Sequence, residues 1–595
     1  MASPPASSSK PAVFLQEKCL QHRYIRTRDI STIVERPERL RAINLGIAAA
    51  VAHIEQARDA PADELADALA KLAIATTPES SRTDDDAAVN SVVDIIRSDA
   101  TLDLCTHPAV DYVHGDENPA DNPLLKLREW VASCEERLRN KESEVPAHLP
   151  QGDLYLCPQS LEAISSAVGT AIEATNHVMK GKGRAFAAIR PPGHHADEAH
   201  PSGFCWVNNV AIAAAHAHLK HGITHAVVLD IDLHHGNGTQ SIVWRFNEDA
   251  YRQDLEAAAE AEAGLPPKPA PLRFYYGSIH DILSYPCEDG KASLVAAASV
   301  HLAGAHGQHI ENVHLEPYES LDEFWKLYEG PYARLLRQAE HFVKSTNAVP
   351  EKTLVFISCG FDANELEYAS MSRHGRHVPP AFYARFARDA SSFAARYAEG
   401  KVVSVLEGGY SDRALSSGAM AHLAGLVSET PFAGEDEWWS TDNLTKIEKA
   451  TSRKARKTST GKPEAWVERA TAIFSAIDVK PAAPPASAVP TPTRVLRERV
   501  PKSTGSASGT GSPPSSKGKP RSTAAAAATT KAVPTMAPPG HESDSPLTDL
   551  SDTDGHNELH VPAAVEVAPA VVARKLPRVI LHVKPPAPPP PAPSA

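Results

Sequence analysis

The chain is 595 residues long, and its 60 Lys+Arg against 73 Asp+Glu leave a net charge of −13. Of its 50 prolines, 23 fall in residues 481–595, so the 42% hydrophobic content averages a globular portion with a proline-rich tail. An acidic chain does not suggest a duplex nucleic-acid binder. With no run of about 18 uncharged apolar residues, no transmembrane helix is expected. Met1–Lys10 lacks the apolar core of a signal peptide. Seven scattered cysteines without C-x-x-C spacing fit reduced thiols, and so cytosol or nucleus, better than disulfides or a thiolate metal site.

In chain order, residues 1–10 read as a disordered N-terminus. The segment Asn140–Gln151 reads as a solvated loop, and Ser160 opens a helix whose Leu161, Ile164, Val168 and Ile172 lie on one face. Ala185–Ile189, His225–Leu229, Arg273–Ile279, Leu354–Ser358 and Val402–Leu406 are short apolar runs bounded by Gly, Pro or Asp, as buried strands are. The acidic, Ala-rich Asn247–Gly264, leading into Pro266–Pro271, reads as a second solvated loop. Alternating strands and helices over this length predict one large α/β domain, residues 11–475, with a mostly parallel sheet. Residues 476–595 hold Ala524–Ala528, Pro588–Pro591 and Ser/Thr/Gly/Pro clusters, too little apolar surface to offset the entropy of ordering, and read as a disordered tail. About −17 of the charge lies in residues 1–480 and about +4 in the tail.

The densest chemical signal is Asp230-Ile-Asp232-Leu-His234-His235-Gly236-Asn237, directly after a predicted strand. Asp232 and His234 are two apart, so an extended backbone points both the same way, and a carboxylate with an imidazole at the carboxyl end of a parallel strand can grip a divalent metal. Arg190-Pro-Pro-Gly-His194-His195 also follows a strand, and paired imidazoles can divide base and acid roles. Asp362 and Tyr410, the latter on the turn Leu406-Glu-Gly-Gly-Tyr410, follow two further strands. Each signal alone has an ordinary structural explanation as a cap or turn; their shared position at strand ends sets them apart.

RPPGHHA, GFCWVNNVAIAA (203–214), DIDLHHGNGTQ (230–240), SCGFDA (358–363) and LEGGY (406–410), in this order, resemble the motifs of zinc-dependent histone deacetylases over roughly residues 20–430, with wording similar to the class II branch and a fungal form. The resemblance implies the arginase/deacetylase fold, a three-layer α/β/α domain around a parallel sheet of about eight strands, and hydrolysis of N6-acetyl-lysine. It implies one Zn2+ held by Asp232, His234 and Asp362, with His195 as base and acid, His194 as its electrostatic partner oriented by Asp230, and Tyr410 as the donor to the oxyanion. Phe204, beside Gly203, and Tyr285 match the aromatic walls of the lysine tunnel; without the resemblance Phe204 would read as a core aromatic. Gly409 falls in the same substrate-binding set. Asp153 matches the rim residue that grips substrate backbone, and Arg39 an arginine near the acetate exit. Asp230, Asp232, His234 and Ser278 match the surroundings of a structural K+. Asn237 replaces the aspartate of class I enzymes, and a neutral amide cannot favour a protonated His195 as a carboxylate would. The loop Asn364–Pro379 is longer and more polar than the family pattern.

The expected partners are acetylated histone tails or other acetyl-lysine proteins, in nucleus and/or cytoplasm, in chromatin and transcription regulation. The basic run Lys446, Lys449, Arg453, Lys454, Arg456 and Lys457 reads either as an import or chromatin contact or as a solvated helix end. Arg578–Val583 reads as a strand that adds to a partner's sheet, or as a chance apolar patch. The rival functions are an acetylpolyamine or other small-amide deacetylase of the same fold and a catalytically silent acetyl-lysine-binding scaffold.

Overall fold

Nine short strands align into a single sheet in the computed structural model, which describes residues 10–70, 92–116, 118, 121–452 and 463–478. In chain order they are β1 (Ala12–Leu15), β2 (Asp94–Arg97), β3 (Arg184–Ala188), β4 (His225–Asp230), β5 (Arg273–His280), β6 (His301–Ala303), β7 (His309–His314), β8 (Thr353–Cys359) and β9 (Val402–Leu406). Their order across the sheet is β2-β1-β3-β9-β8-β4-β5-β7-β6. Eight run parallel, and only the edge strand β6 is antiparallel to its neighbour. The fold is the expected three-layer α/β/α arrangement. Strands β3, β4, β8 and β9 are buried at every residue, which is why they read as unbroken apolar runs rather than alternating ones.

Helices cover the sheet in two sets. Glu38–Ala70 and Ala381–Tyr397 both pack on Asp412–Val427, while Ser160–His177 packs on Asn209–His221. Ser411 caps Asp412–Val427 by accepting from Ala414 N, and Asn208 caps Asn209–His221 by accepting from Ala211 N. The helix Ser160–His177 is where the apolar stripe predicts it, but Ser165, Ser166 and Thr170 are buried beside Ile164 and Val168, so more than one face is covered.

Three expectations are corrected. Asn247–Glu262 is not a loop but the second half of a 26-residue helix, Asn237–Glu262; Ala and Glu are strong helix formers, and that propensity outweighs the charge. Asn140–Gln151 is irregular as expected but not simply solvated: Val145 and Leu149 are buried, and Arg26 donates to buried Glu144. The boundary at 475 falls inside the helix Ala465–Ile477, which packs on Glu38–Ala70. Residues 1–9, the tail from 479 on, Arg578–Val583 and Arg453, Lys454, Arg456 and Lys457 lie outside the described residues. Lys446 and Lys449 lie on the helix Thr441–Thr451, where Lys446 pairs with Glu464. All seven cysteines are free. No helix among the described residues is long and apolar enough to cross a membrane.

Burial holds His22 and His422 down to about 3 and His114 and His225 to about 4, against an ordinary 6.5. These rings stay neutral in the fold but protonate once unfolded, so below pH 6.5 the unfolded chain binds more protons and stability falls with pH. We predict that, with metal chelated throughout, the free energy of unfolding from denaturant titration drops by several kcal/mol between pH 7 and pH 5, at most about 1.4 kcal/mol per ring per pH unit. Equal values at the two pH values would show that these rings do not couple to folding.

Candidate active site

The strand order decides which residues meet. Neighbouring strands β3, β9, β8 and β4 release, at their carboxyl ends, the loops that carry His194 and His195, Tyr410, Asp362, and Asp232 with His234. Segments more than two hundred residues apart are thereby brought to one place, the usual site position in an open parallel sheet.

β4 ends at Asp230, so Asp232 and His234 lie on a bent loop and not on the extended backbone expected from their spacing. Hydrogen bonds shape that loop instead: His234 N donates to Asp232 Oδ1 (3.0 Å) and Asp232 N to Asp230 Oδ1 (3.2 Å). The His234 imidazole lies 3.0 Å from Asp362 Oδ2 and 3.2 Å from Asp232 Oδ1. Among the described residues, Asp232, His234 and Asp362 are the one group whose donor atoms could hold a metal ion, all within 4.8 Å of one another and all buried. Two facing carboxylates out of water call for a cation between them. One imidazole and two carboxylates form an N/O donor set suited to zinc.

His194 Nδ1 donates to Asp230 Oδ2 (3.1 Å), and His195 Nδ1 to Asn237 Oδ1 (2.8 Å). The two rings lie 4.1 Å apart between centroids. Tyr276 OH also donates to Asp230 Oδ2 (3.1 Å). Tyr285 meets His195 edge-on at 4.8 Å and hydrogen-bonds Ser202. Phe204 meets Tyr410 edge-on at 5.7 Å and is half-buried, so it is not a core aromatic. Gly203 has no room for a side chain: a Cβ there would collide with the His195 ring and with Tyr285.

The descriptions of known proteins decide the family. The histone deacetylase domain matches residues 111–426. The chain belongs to the histone deacetylase family. It is similar to histone deacetylase HOS3 of Saccharomyces cerevisiae, 35% identical over 440 residues that cover 71% of this chain and 57% of the yeast protein. It is also similar to histone deacetylase 6 of Caenorhabditis elegans, 27% identical over 56% of this chain and 31% of that one. The chain thus spans about half or less of these two relatives' lengths. The solved HDA15 HD domain is similar at 22% identity and TM-score 0.45, covering 78% of this chain and 99% of that one.

The remaining positions named from the histone deacetylase resemblance are also at this face. Arg39 is fully buried: it donates to Gly409 O (2.6 Å) and to Glu407 O, pairs with Glu35 (3.1 Å), and lies 5.1 Å from the Tyr410 ring centroid. Asp153 is half-buried; burial and the nearby Glu288 raise its pKa, and His234 opposes them. Ser278 pairs in register with Asp230, and its hydroxyl is hydrogen-bonded to His280 (2.8 Å).

Electrostatics separate the tandem histidines. Burial works against a charge on His194, but Asp232 and Asp230 outweigh it and raise the ring to about 10. Burial, then His194 and His234, push His195 well below 6.5 against an opposing hydrogen bond to Asn237, so it is neutral at pH 7.

Sequence reasoning gave no role to several buried groups. Glu407 Oε2 accepts from Gly193 N (2.7 Å) and His194 N (3.2 Å), tying β9 to the histidine loop. Arg190 makes a bidentate pair with Glu35 (2.7 and 2.6 Å). Glu367 accepts from Tyr410 N. A carboxylate within the otherwise apolar VSVLEGG segment was a usable signal for Glu407; nothing in the pattern marks Glu367. Gly408 N donates to Asp232 Oδ2 (2.7 Å), and a Cβ at Gly408 would collide with the Asp362 and Asp232 carboxylates. Gly408→Ala is therefore expected to weaken zinc binding about 10- to 100-fold, measured as metal affinity by competition with a chromogenic chelator. Unchanged affinity would mean that these carboxylates do not form the metal site.

Proposed function

We propose that the chain is a zinc-dependent protein-lysine deacetylase that hydrolyses N6-acetyl-lysine to lysine and acetate. The observation that carries this reading is the meeting of the Asp232–His234–Asp362 donor group with neutral His195 and with Tyr410 at adjacent strand ends. When bound, zinc would supply Lewis-acid polarisation of the acetyl carbonyl and acidify the attacking water.

The chain's own groups do the rest. Because His195 Nδ1–H is committed to Asn237, its Nε2 lone pair is free to take the proton of the attacking water and later return it to the lysine amine. His194, held charged by Asp230 and Asp232, keeps its neighbour neutral. Tyr410 O–H donates to the oxyanion as it forms. Phe204 and Tyr285 flank an unbranched methylene chain and exclude water from it, and Asp153 takes substrate backbone N–H groups at the rim. Arg39 lies by the acetate route and holds the Tyr410 turn. A structural K+ beside Asp230, Asp232, His234 and Ser278 belongs to the same reading, supported by the register pairing of Asp230 with Ser278.

The substrates on this reading are acetylated histone tails or other acetyl-lysine proteins, met in nucleus and/or cytoplasm. Asp153 and Glu288 at the mouth favour a basic substrate. The import or chromatin contact near 446–457 and the strand addition by 578–583 remain parts of the proposal that rest on sequence.

Purified protein should deacetylate an acetyl-histone peptide and prefer it to acetylspermidine. His195→Ala should lower kcat by about 10²–10⁴-fold and Tyr410→Phe by about 10²–10³-fold. Zinc-loaded protein that leaves the peptide intact, or activity indifferent to both changes, would overturn the assignment; preference for acetylspermidine would move it to a polyamine deacetylase.

A further inference from the structure

Tyr410 sits on a turn that has no rigidity of its own. Gly408 and Gly409 precede it, and Gly409 has φ +108, a conformation open to glycine and strained for other residues. A tyrosine that must present its hydroxyl within a few tenths of an ångström therefore depends on what surrounds its backbone.

Several polar backbone groups of this turn are held by side chains from elsewhere. Arg39 Nε donates to Gly409 O (2.6 Å) and Arg36 Nη2 to Tyr410 O (3.4 Å). The N–H groups of Tyr410 and Ser411 have a single holder. Glu367 Oε2 accepts from Tyr410 N (2.7 Å), and its Oε1 accepts from Ser411 N (2.8 Å) and from its own neighbour Tyr368 N (2.8 Å). Glu367 is only 9% exposed, and Ser411 Oγ closes the contact by donating to Leu366 O (2.7 Å). Glu367 lies in the loop between Asp362 and the helix Ala381–Tyr397, so it links the metal-donor loop to the tyrosine turn.

We propose that Glu367 is a positioning residue that fixes Tyr410 by clamping the Tyr410 and Ser411 amides in a bidentate grip. The proposal rests on the deacetylase reading for its catalytic consequence, but its structural core does not. Glu367 touches neither substrate nor metal donors; it acts through Tyr410. Glutamine has the same shape but would turn an NH2 group toward a backbone N–H, breaking one arm of the clamp. Aspartate keeps the charge and falls one methylene short.

The test is a double-mutant cycle on an acetyl-lysine peptide with wild type, Glu367→Gln, Tyr410→Phe and the double variant. Glu367→Gln should lower kcat about 10- to 100-fold with KM within about threefold and zinc content unchanged. In the Tyr410→Phe background the same change should cost less than about threefold, because the hydroxyl it positions is gone. Equal losses in both backgrounds, or wild-type kcat in Glu367→Gln, would overturn the proposal. If Glu367→Gln does not fold, Glu367→Asp enters the same cycle. A second readout is independent of turnover: in 3-fluorotyrosine-labelled protein, the 19F line assigned to Tyr410 by its loss in Tyr410→Phe should shift and broaden in the Glu367 variant. An unmoved line would refute the clamp. Wild type inactive on the peptide with a line that moves would instead refute the deacetylase reading and leave the clamp standing.

Discussion

Buried carboxylates are the constraint on which this molecule is organised. Glu35, Asp230, Asp232, Asp362, Glu367 and Glu407 are all buried at the face where the parallel strands end. An unpartnered charge in that position costs several kcal/mol, so each must be met by donors or by a cation. Local donors serve some of them, as Asp232 N serves Asp230 and His234 N serves Asp232, but others come from distant loops. Gly408 N serves Asp232, Leu233 N serves Asp362, Gly193 N and His194 N serve Glu407, and Tyr410 N and Ser411 N serve Glu367. Arg39 and Arg190 share Glu35. The need to satisfy these acids thus ties the loops into one rigid frame.

The same need divides labour within the site. Asp230 and Asp232 keep His194 charged, and that charge together with burial keeps His195 neutral. Asp232 and Asp362 face each other across His234; the His194 ring lies 3.7 Å from Asp232 Oδ1, while among the described residues Asp362 has only that His234 imidazole and Leu233 N as hydrogen-bond partners. Their repulsion is what a divalent ion would relieve, so affinity for metal and the rigidity of the frame have one physical origin. The glycines at 203 and 408 follow from it too, since the frame leaves no volume for a Cβ beside the histidine ring or between the carboxylates.

Much of this was legible in the sequence, and the rest was hidden for identifiable reasons. Metal donors, tandem histidines and Tyr410 could be read because their chemistry demands particular side chains at strand ends. Strands β3, β4, β5, β8 and β9 could be read because burial on both faces makes them apolar runs. β7 was missed because His309-Ile-Glu-Asn-Val-His314 buries polar groups whose partners lie on other elements: Glu311 pairs with Arg334, and Asn312 donates to Gln240. The helix through Asn247–Glu262 was missed because charge was weighed above Ala/Glu propensity. Glu367 was invisible because its partners are backbone N–H groups, which carry no residue identity. The bend after Asp230, which brings Asp232 and His234 together, likewise follows from local hydrogen bonds and not from the extended spacing first inferred.

The central claim is that the buried acids are arranged around a cation. Its most direct test is the thermal unfolding midpoint of chelator-stripped protein with and without added Zn2+. The account predicts an upward shift that grows with zinc concentration, about 2.7 kcal/mol at a hundredfold excess over the dissociation constant, and that Asp362→Asn abolishes. A midpoint indifferent to zinc, or an equal shift in Asp362→Asn, would contradict it.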